Sequence, residues 1–195
     1  MVIGKNLKHS DPIDMNITEL PLEGLQLIES RRFDDLRGYF MEIFKEEELQ
    51  RLLTDAPHFI QDNMSCSHKG VFRGMHTQQA PMAQAKLVRC ISGRIIDFAM
   101  DIEPASPTFG KVVGIELTPE SGRALYIPNR YAHGFLALED NTRVLYKVDA
   151  PYAPDFEKAY NYQHPALLSE IEKYIPLNQL IISDKDRDAP KLLQY

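Results

Sequence analysis

From Phe59 to Val148, short apolar runs recur about every ten residues, the spacing of a chain built from short strands. The runs are Ile60 to Ser65, Val71 to His76, Lys86 to Ile91, Arg94 to Ile102, Val112 to Leu117, Ala124 to Ile127, Gly134 to Leu138 and Thr142 to Val148. Turn signals separate them: Ser92-Gly93, Pro104 to Pro107, Ser121-Gly122, Pro128-Asn129 and Asp140-Asn141. This punctuation predicts an antiparallel sandwich, jelly roll or barrel. No Gly-x-Gly-x-x-Gly, P-loop or βαβ alternation interrupts the pattern, which argues against a dinucleotide-binding Rossmann domain.

The flanks read differently. Residues 1 to about 22 lack periodicity and carry Gly4, Pro12 and Pro21, and so are expected as an N-terminal arm or flexible lead-in. Residues 23–195 are expected to form a single domain. One helix is predicted over Lys45 to Leu53, with acids in its first turn and leucines on one face. The tail from Pro165 reads as a short helix around Leu167 to Lys173 followed by loops.

Composition narrows the class. At 195 residues, 44% hydrophobic and 26% charged, the chain suits a soluble globular protein with one core. A net charge of −6 argues against a general nucleic-acid binder, whose footprint would be basic. No segment approaches the ~20 apolar residues of a membrane span. The N-terminus bears charges and Pro12 where a secretion signal would be apolar, so a cytoplasmic location is the expectation. Cys66 and Cys90 lie in no zinc or CxxC spacing and are expected as buried thiols.

Polar residues within the apolar runs are the candidates for chemistry, because alternate side chains of a half-buried strand point into one interior. His76 ends such a run. It is either a rim histidine bonded to backbone or a neutral-pH base, and as a base it needs an orienting carboxylate. Asp97, Asp101 and the acids of Ser183-Asp184-Lys185-Asp186 are the candidates. Lys86 is either a guard on an edge strand or an inward cation able to stabilise an enolate oxygen. Tyr146 shares strand parity with Val144 and Val148, and is either core filling or a proton donor. Arg73 and Arg89 are possible anion forks. Arg73 and His76 fall on opposite faces of a regular strand, unless Gly74 marks a bulge that restores a common face. His133 joins His76 in raising a metal question, but Gln78 leaves no His-x-His pair, and a metal site is not expected.

Taken together, these motifs resemble the dTDP-4-dehydrorhamnose 3,5-epimerase family from about Arg32 to Leu193. The resemblance is carried by Asp35-Leu36-Arg37-Gly38-Tyr39-Phe40-Met41-Glu42, Gln61-Asp62-Asn63-Met64-Ser65, Val71-Phe72-Arg73-Gly74-Met75-His76 and Gln84-Ala85-Lys86-Leu87-Val88. It continues in Ser106-Pro107-Thr108-Phe109-Gly110, Ile127-Pro128, Ala132-His133-Gly134-Phe135, Tyr146-Lys147 and Ser183-Asp184-Lys185-Asp186. It implies an all-β, cupin-like double-stranded β-helix (jelly roll) with a few short helices. It also implies a homodimer working without metal or organic cofactor on a nucleotide-diphosphate 4-keto sugar. By that resemblance His76 is the base, Asp186 its carboxylate partner, Lys86 the enolate stabiliser and Tyr146 the acid on the opposite face. Arg73 and His133 are implied as pocket residues, Arg37, Glu42, Gln61 and Asn63 as nucleotide-sugar contacts, and Tyr152 as a pocket aromatic. Arg37 to Glu42 would serve the partner's site.

The chain departs from the family pattern at Thr77, where an aromatic is usual, at Asn129-Arg130-Tyr131, and at Ile175, where a tryptophan is usual. These departures bring in a GDP-linked 4-keto-6-deoxyheptose as an alternative to a dTDP-linked hexose. A 3,4-ketoisomerase of the same fold and a non-catalytic sugar-binding cupin are the rival readings.

Overall fold

The strand rhythm is expressed almost run for run in a computed structural model that describes residues 15–53 and 56–192. The described residues begin with β1 (Met15–Glu19), β2 (Gln26–Ser30), a hairpin of β3 (Arg32–Asp35) and β4 (Gly38–Met41), and helix α1 (Glu46–Leu52). The central strands are β5 (Gln61–Ser67), β6 (Phe72–Gln78), β7 (Lys86–Ser92), β8 (Ile95–Asp101), β9 (Val112–Leu117), β10 (Arg123–Ile127), β11 (Tyr131–Ala137) and β12 (Thr142–Val148). A short β13 (Glu157–Ala159) and helices α2 (Pro165–Ile171) and α3 (Asp184–Arg187) complete the order.

Two antiparallel sheets face each other. One runs β1-β2-β10-β7-β12-β5 and the other β13-β6-β11-β8-β9, while β3 and β4 pair only with each other. This is the cupin-like jelly roll that the resemblance implies. Side-chain alternation builds it. Val88 and Cys90 of β7, Leu125 and Ile127 of β10, and Val144 of β12 meet Ala99 of β8, Leu117 of β9 and Phe135 of β11 between the sheets. On β8 the intervening residues Ile96, Phe98 and Met100 turn to the opposite face, where Leu167 and Ile171 of α2 cover them. Leu49 of α1 and the following Leu53 cover Leu87, Ala124 and Tyr126 on the outside of the larger sheet. Each sheet therefore buries both faces over much of its area, which explains near-continuous apolar runs such as β8.

Several sequence expectations change. Residues 15–22, expected within the arm, are built into the sandwich: β1 pairs with β2 along its whole length, and Leu22 is buried in the inter-sheet core beside Leu25. The polar outer face of this edge strand hides its periodicity. The rest of the expected arm, residues 1–14, lies outside the described residues. The strand expected at Gly134 starts at Tyr131, because Tyr131 and Ala132 already pair with Asp101 and Met100 of β8. Cys90 is buried as expected, but Cys66 is exposed, since it points outward from β5 at the sheet edge. Among the described residues no helix is long and apolar enough to cross a membrane.

If residues 15–25 are part of the folded core, Leu22→Ala will lower stability by about 2–5 kcal/mol, the usual cost of emptying a buried leucine site. Urea denaturation measures it; a loss near zero would show that this segment does not contribute to the core.

Candidate active site

A cavity of about 630 Å³ opens at one end of the sandwich, within the range of small-ligand sites. Both sheets and the C-terminal tail line it, and polar residues replace apolar ones on the inward faces of five strands. Gln61 and Asn63 enter from β5, Arg73 and His76 from β6, Lys86 from β7, His133 from β11 and Tyr146 from β12. Asp186 enters from α3.

The β6 geometry depends on Gly74. His133 of β11 pairs with His76 while Phe135 pairs with Arg73, so three steps on β6 oppose two on β11. That is a β-bulge, and it turns Arg73 and His76 to the same side. Gly74 has φ 134, and a Cβ there would stand 2.5 Å from Gly134 Cα and 2.9 Å from the His133 carbonyl oxygen. Both the conformation and the close approach call for glycine. Arg73 is steadied by Nε donating to Ser67 Oγ at 3.1 Å.

His76 Nε2 donates to Asp186 Oδ1 at 2.6 Å across 110 residues of chain. The tail reaches this point because Ile181 bridges to the start of β6: Phe72 N donates to the Ile181 carbonyl and Ile181 N to that of Gly70. Ser183 then caps α3 by accepting from Asp186 N at 3.2 Å. Gly74 N donates to the second Asp186 oxygen at 3.4 Å. Burial pushes the Asp186 carboxyl up, but the His76 contact together with Gly74 and Ser183 outweighs it, so the group lies below its ordinary value. Asp97 and Asp101, the nearer candidates for orienting His76, have other partners. Asp97 Oδ1 accepts from His133 Nε2 at 2.7 Å, and Asp101 accepts from Ser106 and Thr108. Two histidines on neighbouring strands thus line the cavity, each bonded to a carboxylate: His76 to Asp186, which also lines it, and His133 to Asp97 buried behind it.

Lys86 sits on a central strand between β10 and β12, so the edge-guard reading does not apply. It is 7% exposed, and its ammonium makes no hydrogen bond or ion pair among the described residues. Burial pulls its ammonium down to about 8, against the opposing charges of Asp149 and Asp97. Tyr146 points inward from β12, and burial raises its phenol while Arg73 lowers it. Gln61 Nε2 donates to Asn63 Oδ1 at 2.8 Å. Tyr152 stands at the rim, 59% exposed, with its hydroxyl donating to Glu157 Oε2 at 3.0 Å.

Two expected contacts are not brought to this cavity. Arg37 lies in the exposed turn of the β3–β4 hairpin, paired with Asp35, and Glu42 follows β4; neither lines it. Nor do Asn129, Arg130, Tyr131 or Ile175: Arg130 and Tyr131 bond to Glu23, and Ile175 packs outside the smaller sheet. Of the departures from the family pattern, only Thr77 reaches the cavity.

Other lining residues were not anticipated. Glu157 and Lys185 form an ion pair of 2.6 Å at the mouth, next to Asp186. Gln78 and Gln84 tie the segment after β12 in place: Gln78 bonds the Pro151 carbonyl and Ala153 N, and Gln84 bonds the Ala150 carbonyl. The strand parity of Gln78 with His76 was the available signal for the first; nothing local marks Glu157 or Lys185. Among the described residues, no group of three or more His, Cys, Asp or Glu could hold a metal ion.

A family model described as dTDP-4-dehydrorhamnose 3,5-epimerase matches residues 19–194. A protein of that name from Sinorhizobium fredii is 38% identical over 182 residues, covering 93% of this chain and 91% of its own. The crystal structure of the Elizabethkingia anophelis dTDP-4-dehydrorhamnose 3,5-epimerase superposes with TM-score 0.85 at 39% identity, covering 92% of this chain and 97% of that one. A Legionella pneumophila dTDP-6-deoxy-D-glucose-3,5-epimerase, solved with dTDP-4-keto-L-rhamnose, gives TM-score 0.84 at 38% identity, covering 91% and 93%. The chain belongs to the dTDP-4-dehydrorhamnose 3,5-epimerase family and is an isomerase built on that family's β fold.

Proposed function

We propose that this cavity inverts C3, C5 or both in a dTDP-linked 4-keto-6-deoxy sugar by removing and returning a proton through an enolate. The observation that carries this reading is the convergence of His76 with Asp186, Lys86 and Tyr146 on one cavity from four separate elements. A ketone at C4 acidifies the C–H bonds on both neighbours, because either carbanion delocalises onto the C4 oxygen. With Nε2–H given to Asp186, the Nδ1 lone pair of His76 is the base, and the carboxylate stabilises the imidazolium that forms. Lys86, with no partner of its own, offers its ammonium to the enolate oxygen, where the field of a preorganised charge acts most strongly. Tyr146, held neutral by burial, returns the proton from another strand. Gln61, Asn63, Arg73, His133 and Tyr152 bind the substrate around this centre.

The dTDP-hexose reading is favoured over a GDP-linked heptose because two of the three departures from the family pattern, at Asn129-Arg130-Tyr131 and Ile175, lie away from the cavity. We also read the chain as a homodimer. Leu36, Tyr39 and Phe40 are exposed on a hairpin that joins neither main sheet, and Arg37 and Glu42 lie on or beside it, off their own cavity. A second copy would cover these side chains and receive the two polar residues.

Incubation of dTDP-4-keto-6-deoxyglucose with the protein in D₂O is expected to introduce deuterium at C3, C5 or both, located by NMR. His76→Ala will cut exchange by about 10²–10⁴-fold, the usual worth of a positioned acid–base group. No exchange with dTDP- or GDP-linked 4-keto sugars, hexose or heptose, would refute the epimerase reading.

Tyr146→Phe will reduce net inversion more than exchange itself, since proton removal by His76 survives. Equal losses in both would remove Tyr146 from the donor role.

Light scattering is expected to give twice the 22.4 kDa chain mass. Phe40→Asp is expected to give the single-chain mass with lower kcat/KM. A fully active wild-type monomer would refute the dimer.

A further inference from the structure

Lys86 has to carry a positive charge where burial works against it. Two carboxylates face that problem from different elements. Asp97 on β8 shares its charge with His133, whose Nε2 it binds at 2.7 Å. Asp149, immediately after β12, is different: its Oδ1 accepts the backbone N–H of Ala85 at 2.8 Å, and it forms no ion pair among the described residues. The sheet explains this placement. Val148, the last residue of β12, pairs with Lys86 of β7, so the residue that follows it meets the residue before Lys86. The remaining charged or titratable groups that share the cavity with Lys86 are His76 and Arg73 on β6, His133 on β11, Tyr146 on β12, Tyr152 at the rim, and the Glu157, Lys185 and Asp186 group at the mouth.

We propose that Asp149 is the positioning residue for Lys86, fixing the start of β7 through the Ala85 N–H while its negative charge keeps the lysine protonated for the enolate step. The proposal rests on Lys86 acting as the enolate stabiliser. Asp149 is the stronger of the two carboxylates opposing the effect of burial on Lys86, ahead of Asp97. Burial raises the Asp149 carboxyl itself, and the Ala85 N–H and the Lys86 charge counter that rise. The ammonium is present below about 8 and is lost as pH rises through it, so removing the Asp149 charge must move that loss to lower pH.

Asp149→Asn keeps an oxygen to accept the Ala85 N–H and deletes only the charge. The titration of Lys86 Nζ is read by NMR on protein carrying ¹⁵N-labelled lysine, with the resonance assigned by its loss in Lys86→Arg. The C–H exchange rate is followed over the same pH range. In Asp149→Asn the Lys86 midpoint is expected to fall by about one pH unit, the effect of losing one nearby opposite charge, and the alkaline limb of the exchange profile to fall with it. Asp149→Glu should restore both, and Asp149→Ser, which also retains an acceptor, should match Asp149→Asn. An unchanged Lys86 midpoint in Asp149→Asn or Asp149→Ser, with the amide spectrum still that of the folded protein, overturns the proposal. A lowered midpoint with an unmoved rate profile supports Asp149 as the holder of the charge and refutes Lys86 as the enolate stabiliser.

Discussion

The hydrogen bond between His76 and Asp186 is the constraint on which the site depends. It joins a strand of the smaller sheet to a tail 110 residues later, and every element between must fold for the two to meet. The bulge at Gly74 turns the histidine inward, the Ile181 bridge brings the tail to the same strand, and the Ser183 cap aims the carboxylate. A carboxylate so placed fixes both the orientation and the tautomer of the ring, which a flexible surface partner would not do. The tail is therefore part of the cavity wall, lining it from Ile181 to Asp186.

A second principle organises the cavity. Polar groups inside a sandwich are costly unless each is paired or serves a ligand, and here nearly all are paired. His76 has Asp186, His133 has Asp97, Gln61 has Asn63, and Gln78 and Gln84 bind backbone carbonyls. Lys86 is a buried cation whose ammonium has no hydrogen bond or ion pair among the described residues, and it lines the cavity with Ser65, whose hydroxyl is likewise unpartnered. Its charge is kept by neighbours rather than by a salt bridge, which leaves its donors free. The outer faces remain apolar and covered by helices, so the polarity is confined to one end of the sandwich.

Much of this was legible in the chain. The eight apolar runs from Ile60 to Val148 each became a strand, because period-two alternation and turn residues are local properties that packing on both faces reinforced. The inward face of Tyr146 followed from parity with Val144 and Val148, whereas the odd spacing of Arg73 and His76 left open either opposite faces or a bulge at Gly74, and the register of β6 against β11 decided for the bulge. What failed locally was the beginning of the domain. β1 is an edge strand with a polar outer face, so its sequence carries little strand signal, and its place is decided by pairing with β2 and by Leu22 entering the core.

The partners of the polar residues were a different matter. From the residues alone three carboxylate sources stood open for His76, and nearby Asp97 was as reasonable as distant Asp186; the family resemblance, not the spacing, singled out the tail. Only the tertiary structure assigns Asp97 to His133, brings Glu157 and Lys185 to the cavity mouth, and sets Asp149 beside the start of β7. It also leaves Arg37 on a hairpin, and Glu42 just after it, away from the cavity. Alternation and turn chemistry act over a few residues, so sequence by itself determined the strands and the faces their side chains take. Pairing between charges depends on which strands become neighbours and where a tail returns, and those are long-range outcomes of sheet topology that no local pattern encodes.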